Sequence, residues 1–433
     1  MTRILLIAYD FAPIESAQSI RWRNLTEQLV RHGFKISVIT ARLPGSGELA
    51  SPIGNVECHK VYSGPFSHLA SWILRATQRL EKKSPTAGRD DYPSTFKSAP
   101  ATAKKVVTGV KRFLDIVLVP DARIEWAPFA VRKAKHLLSK HEFDFVIASH
   151  EPSISLFVAA VIQKRAGCPV VADLGDPVVT PFTHRFRRPT DLFLEKKLLR
   201  RFKHLTVTTS TARAELIKRC GLEADQISVI TQAGSVGRAT RKTGRFSVIG
   251  NRASKVHVGY FGNFYPDFRD PRVLFEAISS CPEVTLHVFG SSFTPPCRTA
   301  DNVLLYPRIS YDAALAMQKK LDLLVSVGNT MSEQVPGKTF EYICSGRPVL
   351  YLYQNASDPV IGLFHDHKIG VALAYNSTDL KGFFNDLIRN PDLLDDLKPS
   401  EETQSIFSWE ARGVQYRDLL YSIRRGACAR TDS

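Results

Sequence analysis

A chain of 433 residues, 44% hydrophobic and 23% charged, is long enough for two cores of about 200 residues each and excludes a disordered or fibrous protein. No run approaches the ~18 consecutive apolar residues of a spanning helix, and the seven cysteines, scattered and never in a CxxC pair, argue against a disulfide scaffold or a structural zinc site. The formal net charge of +16 points to an anionic partner: nucleic acid, an anionic membrane face or phosphorylated ligands.

The first segment, MTRILLIAYDFAP, has a short apolar run and lacks the cleavage site of a secretory signal. It is expected to be a buried first strand of a cytoplasmic protein. RILLIAY is apolar on both faces, as a central parallel strand requires. The loop DFAPIESAQS follows, then an amphipathic helix with Ile20, Leu25, Leu29 and Val30 on its inner face, closed by His32-Gly33. KISVIT completes a βαβ unit. FDFVIAS, a helix over ISLFVAAVIQKRAG, PVVADL, HLTVTTS, a helix through Cys220 and QISVIT repeat the alternation. Residues 235–255 are polar, basic and rich in Gly and Ser, and read as a linker.

Beyond it the rhythm restarts with KVHVGYFG, PRVLFEAISSC, VTLHVFG, NVLLYPRI, a helix, LDLLVSV and PVLYLY. Alternation on both sides of a linker predicts two doubly wound α/β domains. The boundaries are 1–234, a linker at 235–255, 256–405, and a closing amphipathic helix in 406–433.

Residues 60–141 break the rhythm. They hold 16 Lys and Arg against 6 Asp and Glu, a net of +10. HLASWILRATQRLEKK and AKKVVTGVKRFLDIVLV both place apolar residues at helical spacing opposite basic ones. Such a basic helical insert suits an anionic membrane interface, or two helices packed on the domain with a solvated basic face. RRPTDLFLEKKLLRRFKHL (187–205) is the densest basic run, and its helical spacing reads as a solvated helix face.

The stretch SEQVPGKTFEYICSGRPVLYL, Ser332 to Leu352, carries the chemistry. A strand runs into a loop, and a helix starts near Pro336. The backbone N–H groups of Gly337, Lys338 and Thr339 then point out of the helix N-terminus, an anion site to which Lys338 adds charge. Glu341 is placed to accept from a ribose diol, and Glu333 from sugar hydroxyls. A capped helix packing on a sheet, with surface glutamates, is the structural alternative.

This stretch resembles the donor-binding segment of retaining, nucleotide-sugar-dependent glycosyltransferases of the GT-B fold, family 4 type, in which two glutamates are separated by seven residues, as Glu333 and Glu341 are here. HEPS (150–153), VVADLGDP, VTTSTARAELIKRCG, YFGNFYPDFRDP and the FSWE helix extend the resemblance over most of the chain. The resemblance implies two Rossmann-like doubly wound parallel-sheet domains facing across a cleft. The N-terminal domain would bind the acceptor and the C-terminal one the nucleotide-sugar, with the last helix crossing back.

It further implies His150 and Glu333 at the donor sugar, Glu341 at the ribose, and the Gly337-Lys338-Thr339 backbone at the diphosphate. Ser16 and Ala17 occupy the first loop, where the family has glycines approaching the diphosphate; this chain lacks the Gly-Gly. Asn263 stands where the family has an Arg, and Arg269 where it has a Lys, so the basic pair is one short. Arg21 is placed to meet an anionic acceptor or solvent. Asp173 and Asp176 lie at a strand's carboxyl end, as ligand contacts or as loop caps.

The implied activity is a retaining, metal-independent hexosyltransferase of polysaccharide or glycolipid assembly. It takes a UDP- or GDP-sugar donor and a glycan or lipid-linked acceptor, needs no cofactor, and works in the cytoplasm, peripheral to the cytoplasmic membrane face. Two rivals remain open: a GT-B scaffold without transfer activity, and a basic nucleic-acid-binding protein. No stacking-aromatic recognition module is visible for the second.

Overall fold

The computed structural model describes residues 1–43, 54–68, 118–180, 183–237, 256–264, 269–290, 300–330 and 335–428. The chain divides into two compact units, residues 1–230 joined by those from 414 on, and residues 231–413.

The first unit is a sheet of seven parallel strands, β1 (Arg3–Ile7), β2 (Lys35–Arg42), β3 (Val56–Tyr62), β4 (Phe145–His150), β5 (Val170–Leu174), β6 (His204–Val207) and β7 (Ile227–Val229). Their order is β3-β2-β1-β4-β5-β6-β7. β1 lies at the centre, with Ile4 paired to Ile36 on one side and Phe145 on the other, and is buried throughout apart from Arg3. The crossover helices are α1 (Ala17–Arg31), α2 (Ala127–Lys140), α3 (Ile154–Ala166), α4 (Arg188–Leu199) and α5 (Ser210–Cys220). The order reverses between β1 and β4, so right-handed crossovers put α1 on one face of the sheet and α2 to α5 on the other. In that second layer α2 packs on α3, α3 on α4 and α4 on α5.

The second unit is a parallel sheet of six strands, β8 (Val256–Phe261), β9 (Val284–Phe289), β10 (Val303–Tyr306), β11 (Leu323–Val327), β12 (Val349–Tyr353) and β13 (Gly370–Ala374). The order is β10-β9-β8-β11-β12-β13, and it reverses between β8 and β11. The helices are α6 (Arg272–Ser279), α7 (Tyr311–Gln318), α8 (Gly337–Cys344), α9 (Pro359–His367), α10 (Ser377–Arg389), α11 (Leu393–Asp396), α12 (Glu401–Ile406) and α13 (Trp409–Cys428), the last continuing into the first unit. Gly234 already belongs to the second unit: its N–H donates to the Phe407 carbonyl and its carbonyl accepts from Trp409 N–H. A Cβ at Gly234 would fall 2.5 Å from the Phe340 carbonyl oxygen, so glycine is required there.

Two details depart from the sequence reading. Both ends of the 60–141 stretch belong to the regular fold, β3 pairing with β2 and α2 leading into β4. The two basic amphipathic segments between them (residues 69–83 and 104–117) lie outside the described residues, as does the linker beyond Gly237. The inner face of α1 is also not the apolar stripe expected. Leu25 and Leu29 are buried, Ile20 and Val30 only partly, and Trp22 is buried among polar Gln18, Arg21, Asn24, Thr26 and Gln28.

Candidate functional site

In the first unit the site residues gather at the carboxyl ends of β1 and β4, beside the switch in strand order where such sheets bind ligands. His150 is the last residue of β4 and is buried. Its Nδ1 is 3.5 Å from Ser153 Oγ, while Nε2 has no partner among the described residues. Burial pushes the imidazole pKa down, against the opposing pull of Glu151, Asp121, Glu195 and the Pro177 backbone. The lowered pKa favours the neutral ring, and Nε2 is itself buried.

Ser16 ends the first loop and Ala17 begins a helix. Ser16 is the N-cap of α1, its Oγ accepting from Ser19 N–H at 3.1 Å, and Ala17 opens the helix. The missing glycines are thus replaced by a helix N-terminus at the carboxyl end of β1. Asp10, next to it, has its pKa raised by burial, with Arg123 and Ser16 acting in the opposite direction.

Arg21 meets neither an acceptor nor solvent. It is fully buried and forms a salt bridge with Asp173, Nη2 to Oδ1 at 2.9 Å and Nε to Oδ2 at 3.1 Å. Asp173 also accepts from Gln18 Nε2, Trp22 Nε1 and Thr206 Oγ1, at 3.0, 2.9 and 2.6 Å. Arg21 Nη2 reaches the Ile230 carbonyl at 3.0 Å, and the Tyr416 ring packs edge-on against Trp22. These contacts account for the polar inner face of α1: a buried carboxylate must be surrounded by donors. Asp173 is a structural hub tying α1, β5, β6 and the end of β7.

In the second unit α8 starts at Gly337, with Pro336 as its N-cap. Thr339 N–H is not free. It closes a turn onto the Pro336 carbonyl at 2.9 Å, and Thr339 Oγ1 pairs with Ser326 Oγ at 2.8 Å, pinning α8 to β11. The anion-facing amides are therefore those of Gly337 and Lys338, without Thr339. Glu341 is buried and Lys338 half-exposed; Lys338 Nζ lies 2.7 Å from Glu341 Oε2 and 5.7 Å from the Tyr311 ring centroid. Glu333 lies outside the described residues.

Two contacts that sequence reasoning missed position this helix and the facing loop. Tyr342 Oη accepts from Phe261 N–H at 2.9 Å and donates to the Phe261 carbonyl at 3.3 Å, locking α8 against the end of β8. Asn263 follows that strand, its carbonyl accepting from Tyr260 Oη at 3.1 Å. Arg269 is held by Asn329, Nη2 at 2.6 Å and Nε at 3.0 Å from Oδ1. Asn329 lies two residues beyond β11, so Arg269 is held at the carboxyl end of that strand. Asn329 is set by Gly328, where a Cβ would fall 2.6 Å from Tyr351 Oη and 2.9 Å from Asp358 Oδ2. The Gly-Asn pair after a strand is the one signal in the sequence that marks this turn.

Residues 92–232 match the family model described as Glycosyltransferase Family 4. No curated protein matches the chain. Among solved structures, sucrose-phosphate synthase from Thermosynechococcus elongatus is 15% identical, with 98% of this chain and 100% of that chain covered and a TM-score of 0.67. HepE from Anabaena, in complex with UDP-glucose, is 15% identical over 98% of this chain and 100% of its own, at a TM-score of 0.62. A TarM variant from S. aureus, in complex with Fondaparinux, alpha-GlcNAc-glycerol and UDP, is 12% identical over 97% and 100%, at 0.61.

The fold is GT-B. Both parallel sheets of this chain have their counterparts in those structures, which cover it almost end to end. No helix among the described residues is long and apolar enough to cross a membrane.

Proposed function

We propose that the protein is a glycosyltransferase that moves a sugar from a nucleoside-diphosphate sugar to a glycan or lipid-linked acceptor, with retention at the anomeric carbon and without a metal. The observation that carries this reading is the arrangement at the carboxyl ends of β8 and β11. The open amides of α8 and Lys338 lie there beside a buried carboxylate, Glu341, and Arg269 is held on Asn329 just beyond β11. The GT-B fold and the UDP and UDP-glucose bound by two of the structures it resembles support the same reading.

Charge develops on the leaving diphosphate as the glycosidic bond breaks. The helix N-terminus and the two cations are the groups in the second unit suited to stabilise it. Glu341 accepts hydrogen bonds from the ribose diol, and Glu333 contacts the donor sugar. In the first unit His150, at the carboxyl end of β4, is suited to a sugar hydroxyl, and the α1 N-terminus at Ser16 and Ala17 to a phosphate oxygen. Asn263 offers a neutral amide where a second cation would stand, so Lys338 carries more of the diphosphate charge. The product's place is in cell-surface polysaccharide or glycolipid assembly, made on the cytoplasmic side.

A thermal-shift panel of UDP-, GDP- and ADP-sugars tests the reading. A donor at 100 times its Kd stabilises the fold by about 2.7 kcal/mol. Transfer from that donor should survive a chelator, and the product should keep the donor's anomeric configuration. Silence across the panel contradicts donor binding. Donor binding without transfer by the wild-type protein leaves the inactive-scaffold reading in its place.

A further inference from the structure

The helix layer α2 to α5 has an outer surface that the sugar-transfer reading does not use. Its charge is one-sided. α2 carries four Lys and Arg, α3 two, and α4 and α5 three each, against only three acids, Asp191, Glu195 and Glu215. Two of those acids are already neutralised. Glu195 is fully buried with Arg219 at 2.7 Å, and Asp191 is paired to Arg187 at 2.7 Å.

Large apolar side chains stand out of this cationic surface. Phe186 is 69% exposed and Phe193 63%, followed by Val161 at 43%, Phe157 at 40% and Val119 at 38%. They are brought together by buried stitching. Arg187 donates to the Leu118 and Pro120 carbonyls at 2.7 Å each, which holds Val119 to the start of α4. Asp121 Oδ2 accepts from Ile154 N–H at 2.9 Å, which ties the same segment to the start of α3, one turn before Phe157. On α4, Phe193, Lys196, Lys197 and Arg200 recur at helical spacing along one exposed stripe. Arg185 lies 4.6 Å from the Phe186 ring centroid and Lys197 5.7 Å from that of Phe193.

We propose that this outer face of α3 and α4, with the 118–121 segment, docks the protein on an anionic phospholipid bilayer. Phe186 and Phe193 enter the acyl boundary, and the flanking lysines and arginines bind lipid phosphates. Apolar side chains protruding among cations, with two of the three helix carboxylates withdrawn, match the charge and the polarity gradient of such an interface. An acidic protein or a nucleic acid would use the cations and leave the aliphatic Val119 and Val161 unexplained. α3 begins four residues after His150, so docking sets the carboxyl end of β4 beside the lipid. The inference reaches beyond the transfer reaction and stands without it.

The test is co-sedimentation of the full chain with vesicles of phosphatidylcholine alone and of equal parts phosphatidylcholine and phosphatidylglycerol. Binding is expected to the anionic vesicles alone and to weaken with salt. The double variant Phe186→Ser, Phe193→Ser should lower that binding at least about tenfold, and Lys196→Glu, Lys197→Glu should do likewise. All four positions are exposed, and circular dichroism checks that the variants fold. Any of three results overturns the proposal: no binding to either vesicle, unchanged binding by both double variants, or binding to random RNA with none to lipid.

Discussion

Lys338 Nζ lies 2.7 Å from Glu341 Oε2, so the cation and the carboxylate read as separate ligand contacts are partners in this structure. One turn of α8 brings them together, as i and i+3 positions do on any helix. The pair is partly exposed and contributes about 0.5 kcal/mol or less to stability. Its importance lies in binding. Lys338→Gln is predicted to weaken a nucleoside diphosphate about tenfold, the loss of one charge-assisted hydrogen bond, while leaving the bare nucleoside nearly unaffected. Titration calorimetry with both ligands checks this; equal losses for the two would remove Lys338 from the diphosphate.

Tyr342 holds α8 to β8 through both polar groups of Phe261. Tyr342→Phe keeps the ring and deletes the hydroxyl, leaving the buried Phe261 N–H without its acceptor. The expected cost is about 1–3 kcal/mol by urea denaturation. The donor KM should rise as well, because the helix carrying Lys338 and Glu341 loses its anchor. A stability loss with an unchanged KM would make the anchor purely structural.

Asp173 joins residues far apart in the chain, and its removal should be felt globally. Asp173→Asn or Arg21→Met leaves one buried charge unpaired and is predicted to cost about 3–5 kcal/mol. Equilibrium denaturation of each variant measures it. A loss below about 1 kcal/mol would mean the pair is reached by water.

Acid stability should depend on His287. It is buried in the second unit, with Nε2 3.1 Å from His257 Nδ1 and Nδ1 3.1 Å from Tyr306 Oη. Burial, and then His257, push its pKa down to about 4, below the ~6.5 of an unfolded chain. Between those values the unfolded state binds more protons. The contribution is therefore complete above about pH 6.5 and is lost as pH falls toward 4. His150, lowered by burial too, acts with the same sign. The denaturant midpoint of His287→Phe should fall less than that of the wild type between about pH 8 and about pH 5. Parallel slopes in the two proteins would contradict the assignment.

The sequence by itself determined the alternation of strands and helices, the two parallel sheets and a helix start near Pro336. These rest on local periodicity, on buried β-branched runs and on one proline-glycine turn, all readable within a dozen residues. It also placed His150 at a strand end and Glu341 within the first turns of α8. Only the tertiary structure decided which polar residues would be withdrawn from ligand and solvent. Arg21 and Asp173 are 152 residues apart, and Tyr342 and Phe261 are 81 apart. Nothing in the local pattern distinguishes a buried, paired arginine from one facing a ligand. The path of the chain brings the partners together, and once water is excluded a charged or polar group must find such a partner.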